Sequence, residues 1–93
     1  MNVIIANEAK AMLSTLDIDV IKSVDGVHTA EEIVDMFKNF FYARMILDVT
    51  AIKDYDNITN IQKISIGLDA DKIILVLPNN EVSTSSSYLS KII

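Results

Sequence analysis

Two kinds of hydrophobic pattern alternate along the chain. Val3-Ile4-Ile5-Ala6, Met45-Ile46-Leu47 and Ile73-Ile74-Leu75-Val76-Leu77 are short unbroken apolar runs. Such runs predict strands buried on both faces, as in a parallel sheet covered by helices. Between them lie apolar residues at helical spacing: Ala9, Met12, Leu13 and Leu16, then Ile33, Met36, Phe37, Phe40 and Phe41, then Ile58, Ile61, Ile64 and Leu68. Each set predicts one buried helix face, and the phenylalanines are expected in the core. Residues 18–24 alternate instead, with Ile18, Val20, Lys22 and Val24 on one side and Asp19, Ile21 and Ser23 on the other. That charged pattern predicts an edge strand.

Local signals set the boundaries. Thr29 with Glu32 three residues on forms a capping box ahead of the second helix. Asn7 is expected to cap the first helix, and Asp56 or Asn57 the third. Gly67 fits the residue after the third helix, with Leu68 completing a Schellman-type stop. Asp25-Gly26 and Asp69-Ala70-Asp71 read as turns, residues 50–57 as a loop, and Pro78 as the end of the last strand. Ser83 to Ser87 read as a mobile connector. A last helix is expected from about Ser86, with Leu89, Ile92 and Ile93 at helical spacing and Tyr88 as a half-buried anchor.

Strand and helix therefore alternate four times. Right-handed crossovers make this an α/β, flavodoxin-like (CheY-like) three-layer sandwich with a parallel sheet of order 2-1-3-4. In that order the fourth strand is an edge, yet it is too apolar for an open one. Residues 1–93 are accordingly expected to be a single domain lacking a fifth strand and helix, the N-terminal fragment of a longer protein. A homodimer through the fourth strand or the last helix would cover the edge.

Composition narrows the function. Thirteen acids against eight bases give a net charge of −5, with no window dense in Lys or Arg. That argues against nucleic-acid binding. Hydrophobic residues make up 51% of the chain, but no apolar stretch approaches the roughly 20 residues of a spanning helix, and no signal peptide is visible. No membrane association is expected. With no cysteine and only His28 among histidines, disulfides, thiolate chemistry and a His-rich metal cluster are excluded. These features favour the cytoplasm. No glycine-rich phosphate loop occurs.

The candidate chemistry lies at Asp48, which ends the central run. An acid at the C-terminal end of a buried parallel strand stands where open α/β sheets carry their ligand sites. Its readings are a phosphoacceptor, a remnant that bonds loop amides, or an acid capping the next turn. Glu8 could hold a metal with Asp48 or sit at a helix start. His28 reads as a solvated loop residue, and Lys53 and Lys72 as surface charges.

The chain resembles the receiver domain of bacterial response regulators. The resemblance rests on Val3-Ile4-Ile5-Ala6-Asn7-Glu8, Val24-Asp25-Gly26, Met45-Ile46-Leu47-Asp48-Val49 and Ile73-Ile74-Leu75-Val76-Leu77-Pro78. It implies that Asp48 is the phosphoacceptor equivalent. It also implies that the acidic pair holding the divalent ion is replaced by Ala6 and Asn7, with Glu8 the one nearby acid. The hydroxyl position at the end of the fourth strand is taken by Pro78, which has no donor. The chain is similar, further, to receiver-like domains ahead of MinD/ParA-type ATPase domains in Gram-positive bacteria. The resemblance thus implies a degenerate receiver, or pseudo-receiver: a non-catalytic interaction or regulatory module binding itself or an attached ATPase domain, without cofactor. The alternatives are a phosphorylatable receiver, which would need Mg²⁺ at Asp48, and a small-ligand binder at the strand C-termini.

Overall fold

A computed structural model describes residues 1–80 of the chain. Strands β1 (Asn2–Ala6), β2 (Val20–Asp25), β3 (Arg44–Asp48) and β4 (Ile73–Val76) alternate with helices α1 (Lys10–Leu13), α2 (Ala30–Phe37) and α3 (Ile58–Gly67). Single 3₁₀ turns at Val49–Ala51 and Ala70–Lys72 precede α3 and β4. The strands form one parallel sheet in the order β2-β1-β3-β4, the predicted α/β arrangement.

Strand pleating divides the apolar runs between two faces. Val3, Ile5, Met45 and Leu47 pack with Ile33 and Phe37 of α2 and Ile61 and Ile64 of α3. Ile4, Ala6 and Ile46 face the other way, against Leu13 of α1. The second helix starts as its sequence dictates. Thr29 Oγ1 accepts from the Glu32 amide at 3.1 Å, and the Glu32 carboxylate accepts from the Thr29 amide at 3.2 Å. Asn57 caps α3 by accepting from the Thr59 amide.

Several expectations are corrected. The first helix has four residues, Met12 is 56% exposed and Leu16 44%. The Ser14 and Thr15 hydroxyls donate to the Ala11 and Met12 carbonyls, the local bonding that competes with helix continuation. Neither does Asn7 cap it: Ala9 occupies the cap position, with no side-chain cap bond. The aromatic stripe stops short too. Helix α2 ends at Phe37, which meets Phe40 and Tyr42 edge-on at centroid distances of 5.4 and 6.1 Å, while Phe41 turns outward at 79% exposure. The fourth strand is half-buried, and Ile74 is 49% exposed, because β4 is an edge of the sheet among the described residues.

Gly67 is not a left-handed stop. It is the last residue of α3, and Leu68 follows in extended conformation. Its role is a close approach: a Cβ there would stand 2.7 and 2.9 Å from the two Val34 methyls of α2. The serine run, Tyr88 and the predicted last helix lie outside the described residues.

Two predictions follow from this packing. Replacing Gly67 with alanine gains about 1 kcal/mol in helix propensity, but forces the stiff Val34 side chain aside at about 1–3 kcal/mol. A net loss is expected as a lower urea midpoint at unchanged slope, recovered in Gly67→Ala/Val34→Ala. The second concerns acid. The Thr29 backbone and hydroxyl hold the Glu32 carboxyl below its ordinary 4.5, and the hydrogen bond from Lys63 does the same for Glu31. Depressed carboxyl values stabilise the fold above the ordinary value, and the contribution is lost as pH falls through the folded value. Glu32→Gln, which keeps the cap's acceptor but not its charge, should be slightly less stable than the parent at pH 7, and the difference should close as pH falls below about 4.5.

Candidate functional site

The C-terminal ends of β1 and β3 lie side by side, and the loops that leave them meet over Asp48. Its side chain is fully buried. One carboxylate oxygen accepts from the backbone amides of Asn7 at 2.9 Å and Ala9 at 2.8 Å. The other accepts from the Thr50 amide at 3.0 Å and the Thr50 hydroxyl at 2.8 Å. A carboxylate offers about four acceptor sites, and all four are filled from within the protein. Burying an anion is expensive unless its bonds are made; here the donors replace the water.

Thr50 extends the network. Its Oγ1, while donating to Asp48, accepts from the Glu8 amide at 3.0 Å, and its carbonyl accepts from Asn7 Nδ2 at 3.0 Å. A second seam ties the loop after β2 to the same segment. The His28 amide donates to the Ala51 carbonyl at 2.9 Å, the Lys53 amide donates to the His28 carbonyl at 2.8 Å, and His28 and Ile52 form a parallel bridge. Gly26, at a φ of 86°, donates to the Ala6 carbonyl. The loops that follow β1, β2 and β3 are thus joined.

The residues singled out in the sequence take these places. Ala6 is buried at the end of β1 and presents a methyl to the α1-side core. Asn7 contributes its amide and carboxamide to the network. Glu8 contributes its amide; its side chain is exposed, and it precedes α1 rather than lying in its first turn. Pro78 lies two residues beyond Val76, the register partner of Asp48. His28 is half-buried and holds the loop seam, with its Nε2 3.1 Å from the Asp25 carbonyl, rather than standing free in solvent. Lys72 is a half-buried side chain, its Nζ 5.6 Å from the Tyr42 ring centroid. Among the described residues, no three His, Cys, Asp or Glu side chains gather as a metal site.

Thr50 was not singled out in the sequence, although its signal is there: an Asp two residues before a Thr, leaving a strand, makes a side-chain-bonded turn. Asp48 is the N-cap of the 3₁₀ turn at Val49–Ala51, and its second oxygen joins that turn to the loop after β1. The readings of Asp48 as a binder of loop amides and as a turn cap are both realised. For an oxygen of Asp48 to act as a nucleophile, it must leave one of these donors and reach solvent.

Away from Asp48, a groove of about 250 Å³ runs between α3 and β4. Leu47, Ile61, Ile64, Ile73 and Leu75 line it, with Gln62 and Ser65 at the rim. No helix among the described residues is long and apolar enough to cross a membrane. No family model, curated protein or solved structure matches the chain.

Removing the carboxylate should therefore unravel this end of the sheet. Asp48→Ala leaves three amides, Thr50's buried and those of Asn7 and Ala9 half-buried, without their acceptor, at about 1–3 kcal/mol each before relaxation. A loss of at least about 3 kcal/mol is expected in urea unfolding. Asp48→Asn points an NH₂ at other donors and should still cost about 2 kcal/mol. Thr50→Val, losing one donor and the acceptor of the Glu8 amide, should cost about 1–2 kcal/mol.

Proposed function

We propose that this chain is a degenerate receiver: a flavodoxin-like pseudo-receiver that works as a non-catalytic interaction or regulatory module. The observation that carries the reading is the saturation of Asp48. Both of its oxygens are bonded to loop donors, and its side chain has no solvent exposure. In a phosphorylating receiver that carboxylate attacks a phosphoryl group beside a divalent ion that neutralises the charge between them. Here Asn7 and Glu8 turn amides toward the Asp48–Thr50 pair, and Ala6 offers a methyl. An acid retained for what it binds, with its reactive surroundings gone, fits a domain whose output is contact.

The contact surface in this reading is the β4 side of the sheet. The opposite edge, β2, carries Lys22 and Asp25 and is exposed along most of its length, the charged kind of edge that resists pairing. The residues of β4 are Ile73, Ile74, Leu75 and Val76, with no charge among them. A second copy or an attached MinD/ParA-type ATPase domain is the partner this reading assigns to it.

Two measurements test the proposal. Incubation with Mg²⁺ and acetyl phosphate should leave the intact mass unchanged. A stoichiometric phosphoryl adduct mapped to Asp48 by peptide mass spectrometry would establish the phosphorylatable receiver instead. Sedimentation velocity should show concentration-dependent self-association that Ile74→Lys weakens at least tenfold. A monomer at every concentration would remove the homotypic form of the reading.

A further inference from the structure

At the end of the strands opposite Asp48, a cleft of about 360 Å³ opens between the C-terminal ends of α2 and α3 and the residues that lead into β3 and β4. That volume lies within the range of small-molecule sites. Its walls are largely aromatic. Phe37, buried at the base, meets Phe40 and Tyr42 edge-on, and Leu68 adds an aliphatic side. The rings hold one another in fixed orientations, so a flat guest finds faces and edges already placed.

Tyr42 indicates what the cleft takes. It is 5% exposed, yet among the described residues its hydroxyl makes no hydrogen bond. Buried hydroxyls are nearly always bonded, and this one has a donor left to offer. Burial, and then the charge of Asp69 on the same cleft wall, hold the phenol above its ordinary 10.0, so its proton is in place at neutral pH. The influence of Asp69 also sets the hydroxyl beside the cleft. The Asp69 carboxylate is itself occupied, accepting from the Asp71 amide as the cap of the turn before β4. The two lysines of the cleft are unequal. Lys38 pairs with Asp35 at 3.1 Å. Lys72 Nζ lies 5.6 and 6.0 Å from the Tyr42 and Phe41 ring centroids, and no carboxylate pairs with it among the described residues. An unused hydroxyl donor and an unpaired ammonium thus stand beside aromatic walls.

We propose that this cleft is a binding site for a small aromatic monocarboxylate. The ring of the ligand packs against Phe40 and Leu68, and its carboxylate accepts from the Tyr42 hydroxyl and pairs with Lys72. Asp69 at the rim opposes a second negative charge. The site goes beyond the interaction reading and does not depend on it.

The test is an NMR titration of the full, isotope-labelled chain with benzoate at neutral pH, following the backbone amides. Saturable shifts are expected at Phe40, Tyr42, Leu68 and Lys72, with Asn7 and Thr50 unmoved. Benzyl alcohol, which lacks the charge, and acetate, which lacks the ring, should each bind at least about tenfold more weakly. Tyr42→Phe removes only the hydroxyl. It should keep the parent's urea midpoint, because no bond within the protein is lost, and bind benzoate about fivefold more weakly. Lys72→Met keeps a long apolar stem, and it should weaken benzoate at least about fivefold while leaving benzyl alcohol unchanged. No saturable shift at the cleft, benzyl alcohol or acetate binding as well as benzoate, or either variant binding benzoate like the parent would overturn the site. So would a lowered urea midpoint in Tyr42→Phe, which would mean that the hydroxyl already serves the fold, or an equal loss of benzyl alcohol and benzoate in Lys72→Met.

Discussion

The buried carboxylate of Asp48 is the interaction on which this end of the molecule depends. Parallel strands leave their C-terminal ends to loops with no partner strands, and those loops carry amides that need acceptors. Asp48 supplies acceptors for three of them, and for the Thr50 hydroxyl, from one position at the end of β3. The short first helix follows from this. Four residues cannot nucleate a stable helix alone, so the loop leading into it is fixed from outside, by the oxygen that binds the Asn7 and Ala9 amides. The charge is affordable because hydrogen bonds to a carboxylate are stronger than neutral ones, and four of them converge here.

The sheet that this network crowns is covered unevenly. Helices α2 and α3 bury one face, and their contact is close enough that Gly67 touches Val34. Among the described residues the other face has four helical residues upon it, and Met12, Leu16 and Ile74 are exposed. The two edges of the described sheet differ as well, charged at β2 and apolar at β4. Stability is thus concentrated between β1, β3 and the α2–α3 layer, and apolar surface is left toward β4.

The sequence made the architecture legible because strand order follows from a few strong cues. Three unbroken apolar runs, one charged alternating stretch and the Thr29–Glu32 box are local, and each marks the element it predicted, although the fourth strand is half-buried rather than buried on both faces. What was illegible depended on contacts distant in the chain. Leu16 and Phe41 sit at correct helical spacing, but whether a stripe is covered depends on the length of the helix and on what it meets. Gly67 looked like a helix stop because nothing local announces Val34, which faces it from another helix. At the site, Asp48 could be located but not interpreted. Its decisive partners lie 39 and 41 residues away, and Thr50 becomes important only once the Glu8 amide reaches it from 42 residues away.

Amide hydrogen exchange at Asn7, Ala9 and Thr50 tests most directly whether Asp48 is held by structure or poised for reaction. If its carboxylate is the acceptor that joins these loops, the three amides exchange as slowly as those in the centre of β3. Their protection is then unchanged by millimolar Mg²⁺ and is lost together in Asp48→Ala. Rapid exchange at Asn7 and Ala9 in the native protein, or a loss of their protection on adding Mg²⁺, would contradict the account and return Asp48 to the role of a reactive acid.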